Sequence, residues 1–209
     1  MRSVFEDIAP VLAQTTVISD VGSVRATLVV DARQAFGKAS CNYCPVHPIA
    51  GGEKTGVDAA VPSLFVGANA IVTPLEETSE VSRSIWRKLW AAAGANLLEM
   101  TVAEHDSIFA SVSHLPHVVA FALVNAVLSM DSPERRLHLA GPGFRDTTRI
   151  AASSPTMWRD ICLANQKALL ESLLAYKDNL EDICRAIEKG DGKAIEEFFE
   201  RSAKARRGL

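Results

Sequence analysis

The sequence predicts an α/β half with a parallel sheet followed by an all-α half, and two features of the 209-residue chain lead to this fold class. Over the first hundred residues, short runs rich in β-forming residues alternate with stretches of helical periodicity. Strands separated by helices at this spacing are typical of parallel sheets with crossover helices. From Thr101 onward the strand signals stop and apolar residues recur at helical spacing. We therefore expect an α/β domain over 1–100 and a helical domain over 101–209.

Local patterns define the elements of the first half. Ser23 stands where the first long helical pattern begins, and serine is a favoured N-cap, so we expect it to cap that helix. Pro74 closes a strand pattern because proline cannot donate to a sheet. In chain order, we predict strands at 15–21, 41–46, 68–74 and 95–100, with helices at 22–36 and 77–93.

The second half repeats a helical pattern, with apolar residues such as Val112, Leu115 and Val119 at intervals of three and four. Near the end of the chain, "KGDGK" at 189–193 contains two glycines in a polar run. Such a run predicts a turn that breaks the last helix into two.

Composition and charge exclude several classes of protein. The net charge of −3 gives no basic footprint for nucleic acid, and 48% hydrophobic residues are ordinary for a globular chain. The apolar stretch Val118–Leu128 is too short to span a bilayer and contains Asn125. The N-terminus carries acidic residues where a signal peptide would be apolar, so we expect a cytoplasmic protein without a membrane segment.

Metal binding is not expected. Cys41 and Cys44 form one C-x-x-C pair, but a zinc site needs a second pair or histidines at ligand spacing. No H-E-x-x-H motif is present, which again argues against zinc. Buried thiols are the favoured interpretation of the cysteines.

Ser23 and His47 each follow a predicted strand. Ligands of open parallel sheets bind beyond the carboxyl ends of the strands, so the two side chains would face one crevice if the strands are neighbours. A serine beside an imidazole could orient it as a proton acceptor near neutral pH. The alternative is that Ser23 only caps a helix and His47 only packs in the core.

The helical half carries two further polar clusters. "EHDSIFASVSHLPH" contains three histidines, of which His114 and His117 could share a helix face, with a first turn or kink at Pro116. "GPGFRDTTRIA" places Asp146 and Arg149 just after two glycines, where a guanidinium could clamp a carboxylate. An ion pair between Asp146 and an arginine at the start of a helix would explain the same residues.

The motifs taken together resemble the prephenate dehydrogenase family, which includes arogenate dehydrogenases of tyrosine biosynthesis. The resemblance runs in chain order through "DVGS", "HPIAGGEKTGV", "LF", "IVTP", "HD", "SHLPH", "GFRDTTRIA" and "MWRDI..AN" and covers nearly the whole chain. It implies a partial Rossmann-like sheet followed by a helical dimerisation domain, and a homodimer with intertwined helical halves.

The resemblance also implies roles for particular residues. His47 resembles the family's catalytic histidine, oriented by Ser23, and Ser23 and Gly52 would lie on the NAD side, with NADP left open. Arg149 would bind a substrate carboxylate and His117 would line the same pocket. The residues that would gate or shape the site are Glu53, Asp146 and Trp158. The implied reaction is oxidative decarboxylation of prephenate with hydride transfer to NAD(P)+, with tyrosine as a candidate feedback inhibitor.

The chain departs from the family at its front. None of the 12 glycines makes the G-x-G-x-x-G turn that holds the cofactor pyrophosphate at a helix N-terminus. Much of the front of the dinucleotide-binding domain is therefore expected to be missing, through truncation or a start assigned too late. Three functions remain open: prephenate dehydrogenase, arogenate dehydrogenase, and a non-catalytic dimerisation or tyrosine-binding module.

Overall fold

The computed structural model describes residues 1–51 and 56–208 and contains a three-stranded sheet in the order β1-β2-β3. The strands are β1 (Val46–Pro48), β2 (Asn69–Val72) and β3 (Asn96–Glu99). β2 and β3 run parallel, as expected, but β1 runs antiparallel to β2, with His47 opposite Ile71. The sheet is therefore mixed, and the prediction of an all-parallel sheet is corrected at β1.

Ten α-helices cover most of the rest of the described chain. They are α1 (Arg2–Ile8), α2 (Ala26–Phe36), α3 (Glu80–Ala92), α4 (Val102–Phe109), α5 (Leu115–Leu128), α6 (Pro133–His138), α7 (Pro142–Thr148), α8 (Pro155–Ala164), α9 (Gln166–Glu188) and α10 (Gly192–Arg206). The expected α/β half and helical half are thus confirmed as the fold class. The predicted turn between the last two helices is also confirmed, with Gly190 at φ +64°.

The sheet is covered by α3. The β-strand residues Val46, Ala70 and Val72 are almost fully buried and pack with Trp90 of α3. α3 begins where the Ser79 hydroxyl accepts a hydrogen bond from the Ser82 N–H, a local cap of the usual kind. This layer fixes the position of β1, and with it the position of His47.

A second core lies between α1 and α2. The rings of Phe5, Phe36 and Tyr43 meet with centroids 5.1–6.1 Å apart in tilted and edge-on arrangements. Such contacts between aromatic rings stabilise beyond the area they bury. Tyr43 belongs to the segment that leads into β1, so this core holds the segment from the other side.

The predicted strands at 15–21 and 41–46 are wrong. The first contributes only a single bridge, in which the Ile18 N–H donates to the Asn42 carbonyl and the Cys44 N–H donates to that of Ile18. Residues Gly37–Asn42 form a 3-10 helix, and the strand begins only at Val46. The backbone of the two segments therefore meets only at this bridge, and one side chain from each segment, Ile18 and Tyr43, enters the α1–α2 core.

A continuous helical run, Val102–Leu128, combines α4, a π-helical turn at Ala110–His114 and α5. By length and composition it is apolar enough to cross a membrane, with a mean hydropathy of 1.6, and 22% of that window is buried. It also carries the buried polar groups His105, Asp106 and His114, each hydrogen-bonded to another side chain. The contacts of His105 with His47 and of His114 with Asn165 join the run to other segments of the chain.

Candidate active site

A cavity of about 720 Å³ opens between the sheet and the helical half. This size is within the usual range for small-ligand sites. Ser23, His47 and Gly51 line it from the first half. From the helical half, its walls include His114, His117, Arg149 and Trp158. The structure thus brings together five of the residues singled out in the sequence as candidate site residues: Ser23, His47, His117, Arg149 and Trp158.

His47 lies in the middle of β1 and is only 9% exposed. Its Nδ1 pairs with Nε2 of His105 at 2.8 Å. Burial, followed by the charges of His105 and Arg25, lowers the pKa of His47 to about 3. The imidazole is therefore neutral at physiological pH, the state in which it can accept a proton.

His105 is fully buried and continues the chain of contacts. Its Nδ1 lies 2.8 Å from Oδ1 of Asp106, and its ring packs on Phe109 with centroids 4.5 Å apart. Burial alone would raise the pKa of Asp106, but hydrogen bonds from His105 and from the N–H groups of Arg25 and Ala26 outweigh it, so the pKa is lowered. Asp106 is therefore a carboxylate in the folded protein.

Asp106 also caps α2 from a distant part of the chain. Its Oδ1 accepts the Arg25 N–H and its Oδ2 the Ala26 N–H, both at 2.8 Å. The expectation that Ser23 caps this helix is wrong, because the helix starts at Ala26 with Arg25 in the N-cap position and Asp106 supplies the acceptor. Ser23 is left half-buried at the cavity wall.

The turn before Ser23 is held by a buried ion pair. Nη2 of Arg25 lies 2.7 Å from Oδ1 of Asp20, and both side chains are almost fully buried. The Tyr43 hydroxyl also donates to Asp20, and burial followed by the Asp20 charge raises the pKa of Tyr43. A Cβ at Gly22 would lie 2.5 Å from a Leu28 methyl and 2.9 Å from Nη2 of Arg25, so a larger residue there would force these side chains to shift.

The π-helical turn places His114 in the cavity wall. Five residues of a regular α-helix turn a side chain roughly 140° away from its starting face. Here the Leu115 N–H bonds the Ala110 carbonyl, and the extra residue in the turn allows both Phe109 and His114 to line the cavity. Burial lowers the pKa of His114 to about 4, and the Asn165 amide lies 3.2 Å from its Nδ1.

His117 and Trp158 form an aromatic wall. Their rings stack with centroids 3.8 Å apart and 22° between the planes. The Trp158 Nε1–H donates to the Ser153 hydroxyl at 2.8 Å, and His117 Nδ1 contacts the Ser113 carbonyl at 2.9 Å. Pro116 sits in the first turn of α5, as expected, so the helix begins between His114 and His117.

The remaining expected site residues are placed differently. Arg149 lines the cavity, whereas Asp146 is exposed on α7 and is not among the lining residues. Gly52 and Glu53 lie outside the described residues. His105, Asp106 and Asn165 were given no role from sequence; the motifs "HD" and "AN" contained them without indicating what they contact.

The described residues fit one end of a dinucleotide cofactor. Ser23 and His47 line a cavity of about 720 Å³, which is large enough to admit a nicotinamide ring. The N-terminus of α2 is not free for a phosphate, because Asp106 occupies its first N–H groups. Within 1–51 and 56–208, no three histidine, cysteine or acidic side chains are grouped to hold a metal.

The fold and the site together define a two-part chain of a known enzyme class. Residues 1–99 match the sequence model of the prephenate dehydrogenase nucleotide-binding domain, and residues 101–201 match that of the prephenate dehydrogenase dimerization domain. The chain belongs to the prephenate dehydrogenase family.

Individual relatives agree with this family. The chain is 34% identical to cyclohexadienyl dehydrogenase of Zymomonas mobilis, with 96% of this chain and 69% of that protein covered. It is 36% identical to prephenate dehydrogenase of Lactococcus lactis over 92% of this chain. This chain spans about half of the Lactococcus lactis protein, 52% of its length.

Solved structures give the same result. Prephenate dehydrogenase of Aquifex aeolicus, in complex with hydroxyphenyl propionate and NAD+, superposes with a TM-score of 0.92 at 33% identity, covering 99% of this chain and 72% of that one. Arogenate dehydrogenase of Synechocystis superposes with a TM-score of 0.84 at 29% identity, covering 99% of this chain and 74% of that one.

Proposed function

We propose that this chain carries the substrate side of a prephenate dehydrogenase site, which converts prephenate to 4-hydroxyphenylpyruvate and CO2 with hydride transfer to NAD+. The observation that carries the proposal is the position of His47. It is buried and neutral at the wall of a cavity that Arg149 and the His117–Trp158 stack also line. A base, a cation and an aromatic wall suit a ring substrate with a hydroxyl group and carboxylates.

His47 would accept the proton of the substrate hydroxyl. NAD+, held beside Ser23, would supply the acceptor for the hydride that leaves the ring carbon bearing this hydroxyl. The carbon becomes a carbonyl carbon, and loss of the ring carboxylate as CO2 sends its electron pair into the ring to form a phenolate. The His47 imidazolium then returns the proton to the phenolate oxygen, so that no net proton is released.

The substrate carboxylates would be recognised from the helical half. Arg149 reaches the cavity from the end of α7, and a guanidinium matches two carboxylate oxygens at once. His117 and Trp158 form the wall against which the ring would pack. Glu53 and Asp146 would gate or shape the site, and Asp146 lies on the exposed surface of α7.

The cofactor would enter with its nicotinamide beside Ser23, with Gly52 on the same side. NAD+ is favoured because the Aquifex aeolicus relative is in complex with it. NADP+ remains an alternative, since no ribose-reading segment was recognised in the sequence.

The division into a cofactor-side domain over 1–100 and a substrate-side domain over 101–209 is part of the same proposal.

A homodimer is part of the proposed function. Residues 101–201 match a dimerization domain, and the helical half leaves Leu123, Leu128 and Leu174 more than a third exposed. A second copy would cover such side chains. We place the enzyme in the cytoplasm and propose tyrosine as an inhibitor at the same cavity, because it carries a six-membered ring with a hydroxyl group and a side-chain carboxylate, as the substrate does.

Arogenate is the second candidate substrate. A cyclohexadienyl dehydrogenase and an arogenate dehydrogenase are both among the proteins that this chain resembles. Arogenate differs from prephenate in carrying an amino group where prephenate has a keto group. That difference lies away from the reacting carbon, so the same residues would serve both.

The test is an assay of NADH formation by the purified chain with prephenate or arogenate, together with calorimetric titration of hydroxyphenyl propionate. We expect NAD+-dependent turnover, and we expect His47→Asn to lower it by about two to four orders of magnitude. His138→Asn, an exposed histidine on α6, is the matched control. Ligand binding without any turnover would overturn the dehydrogenase assignment and favour a non-catalytic substrate-side module.

A further inference from the structure

We propose that His105, held by Asp106, is a positioning residue that fixes the tautomer of His47, leaving Nε2 of His47 as the proton acceptor in the cavity. This inference rests on the function proposed above. It gives His105 the orienting role that the family resemblance implies for Ser23.

The tautomer of His105 follows from its carboxylate partner. Asp106 is ionised and already accepts the N–H groups of Arg25 and Ala26, so it can only accept from His105. Nδ1 of His105 lies 2.8 Å from the carboxylate and therefore carries the hydrogen. In the neutral imidazole, Nε2 is then the nitrogen with a free lone pair.

The tautomer of His47 follows in turn. Its Nδ1 lies 2.8 Å from Nε2 of His105, and this short contact needs one donor and one acceptor. Because Nε2 of His105 is the acceptor, Nδ1 of His47 must donate. Nε2 of neutral His47 then has the lone pair, which is the arrangement a general base requires.

The surroundings hold this arrangement in place. His105 is fully buried, and its ring packs against both His47 and Phe109, with centroids 5.0 and 4.5 Å away. The charged and titratable groups that act on His47 are His105 and Asp106 of α4, His114 of the π turn, and Arg25 before α2. Asp106 raises the pKa of His47 because it attracts the added proton, whereas the other three groups lower that pKa because they disfavour a positive charge on the ring.

The Asp106 carboxylate also joins the base to the start of α2. The same carboxylate holds the His105 ring and the first N–H groups of α2, next to Ser23. The Asn165 amide donates to the Asp106 backbone carbonyl at 2.8 Å, which ties the junction of α8 and α9 to the same point. The base is thus positioned by three segments of the chain.

The test compares two substitutions of His105 in the full chain. His105→Phe keeps an aromatic ring at this position but removes the acceptor nitrogen, and we expect it to lower kcat by about two to four orders of magnitude with KM changed less than about threefold. His105→Gln keeps a carbonyl oxygen to accept from His47 Nδ1, and it should recover most of the loss. Ser107→Ala, an exposed position of α4, is the control.

The second measurement is the 15N NMR spectrum of the imidazoles, which distinguishes a protonated ring nitrogen from one with a lone pair. The chain has five histidines, and His47→Asn assigns the His47 signals. We expect a protonated Nδ1 in the unaltered chain and in His105→Gln, and a mixture of tautomers in His105→Phe. A protonated Nε2 in the unaltered chain, or a spectrum unaffected by His105→Phe, would overturn the proposal.

The two proposals fail separately. If the unaltered chain forms no NADH, the proposed function fails, and the NMR result still decides the tautomer. If the chain is active and His105→Phe leaves kcat unchanged, the positioning role fails and the function stands. Should His105→Phe not fold, the spectra of the unaltered chain and of His105→Gln decide.

Discussion

The imidazole of His117 stacks on the indole of Trp158 with ring centroids 3.8 Å apart. His117 lies on α5 and Trp158 on α8, so the stack joins two helices at the cavity wall. Trp158→Ala removes a side chain that is 8% exposed, and we expect a loss of about 3–5 kcal/mol in the free energy of unfolding. It should also raise the KM for prephenate, because the substrate ring would no longer pack against the Trp158 indole.

Trp90→Ala is the matched control for this substitution. Trp90 is also 8% exposed but packs against the sheet. Urea unfolding should show a similar loss of stability, with KM unchanged. An equal rise in KM for both variants would mean that the effect comes from general destabilisation.

Arg149 should act in substrate binding. Arg149→Ala removes a charge-assisted hydrogen-bonding group from the cavity, which predicts a roughly 10- to 100-fold higher KM and a smaller change in kcat. Steady-state kinetics with prephenate measure both constants. The control is Arg145→Ala on α7, where Nε donates to the Ala140 carbonyl of its own segment. A fall in kcat alone would place Arg149 in the chemical step instead.

Acid should destabilise the protein through its buried histidines. The pKa values of His47 and His114 are lowered to about 3 and about 4, so the unfolded chain binds more protons as the pH falls below 6.5. The contribution of the two neutral histidines to the free energy of unfolding is therefore present above pH 6.5 and is lost as the pH falls towards 4. Between pH 6.5 and 5 the loss is about 2 kcal/mol for each histidine.

Urea titrations at pH 7 and pH 5 measure this loss. His47→Asn and His114→Gln should each make the difference between the two midpoints smaller. If neither variant changes the difference, other groups cause the acid sensitivity.

Asp106 should matter for stability as well as for positioning. Asp106→Ala leaves the Arg25 and Ala26 N–H groups at the start of α2 without their acceptor, which predicts a loss of about 2–4 kcal/mol. Asp191→Ala removes the local cap of the exposed helix α10, where about 1 kcal/mol is expected. Thermal unfolding compares the two caps. Equal losses would show that the buried contacts of Asp106 add nothing to an ordinary cap.

Elements with strong local signals were predicted close to their observed positions. α3 begins three residues after the predicted start and ends one residue early, and β2 and β3 lie inside their predicted ranges. The segments around 15–21 and 41–46 were predicted wrongly, because β-forming side chains also suit an aromatic core. Their backbone makes a single bridge there instead of strands.

The sequence predicted individual residues of the candidate site but not the hydrogen bonds that connect them. His47, His117 and Arg149 were singled out, and the cavity contains all three; their roles stay predictions. Ser23 was predicted to cap α2 because N-caps are predicted from the residues next to the start of a helix. The true acceptor, Asp106, lies 81 residues from Arg25, a distance over which local pattern gives no signal.

The amino-acid sequence by itself determined the family, the division between a sheet-containing half and a helical half, and the identity of the candidate base. These depend on residue type and spacing, which are present in the printed order of the chain. Only the tertiary structure decided that β1 runs antiparallel, that Asp106 caps α2, and that His105 contacts His47. Those facts depend on groups from distant segments meeting within hydrogen-bonding distance, and packing alone sets which groups meet.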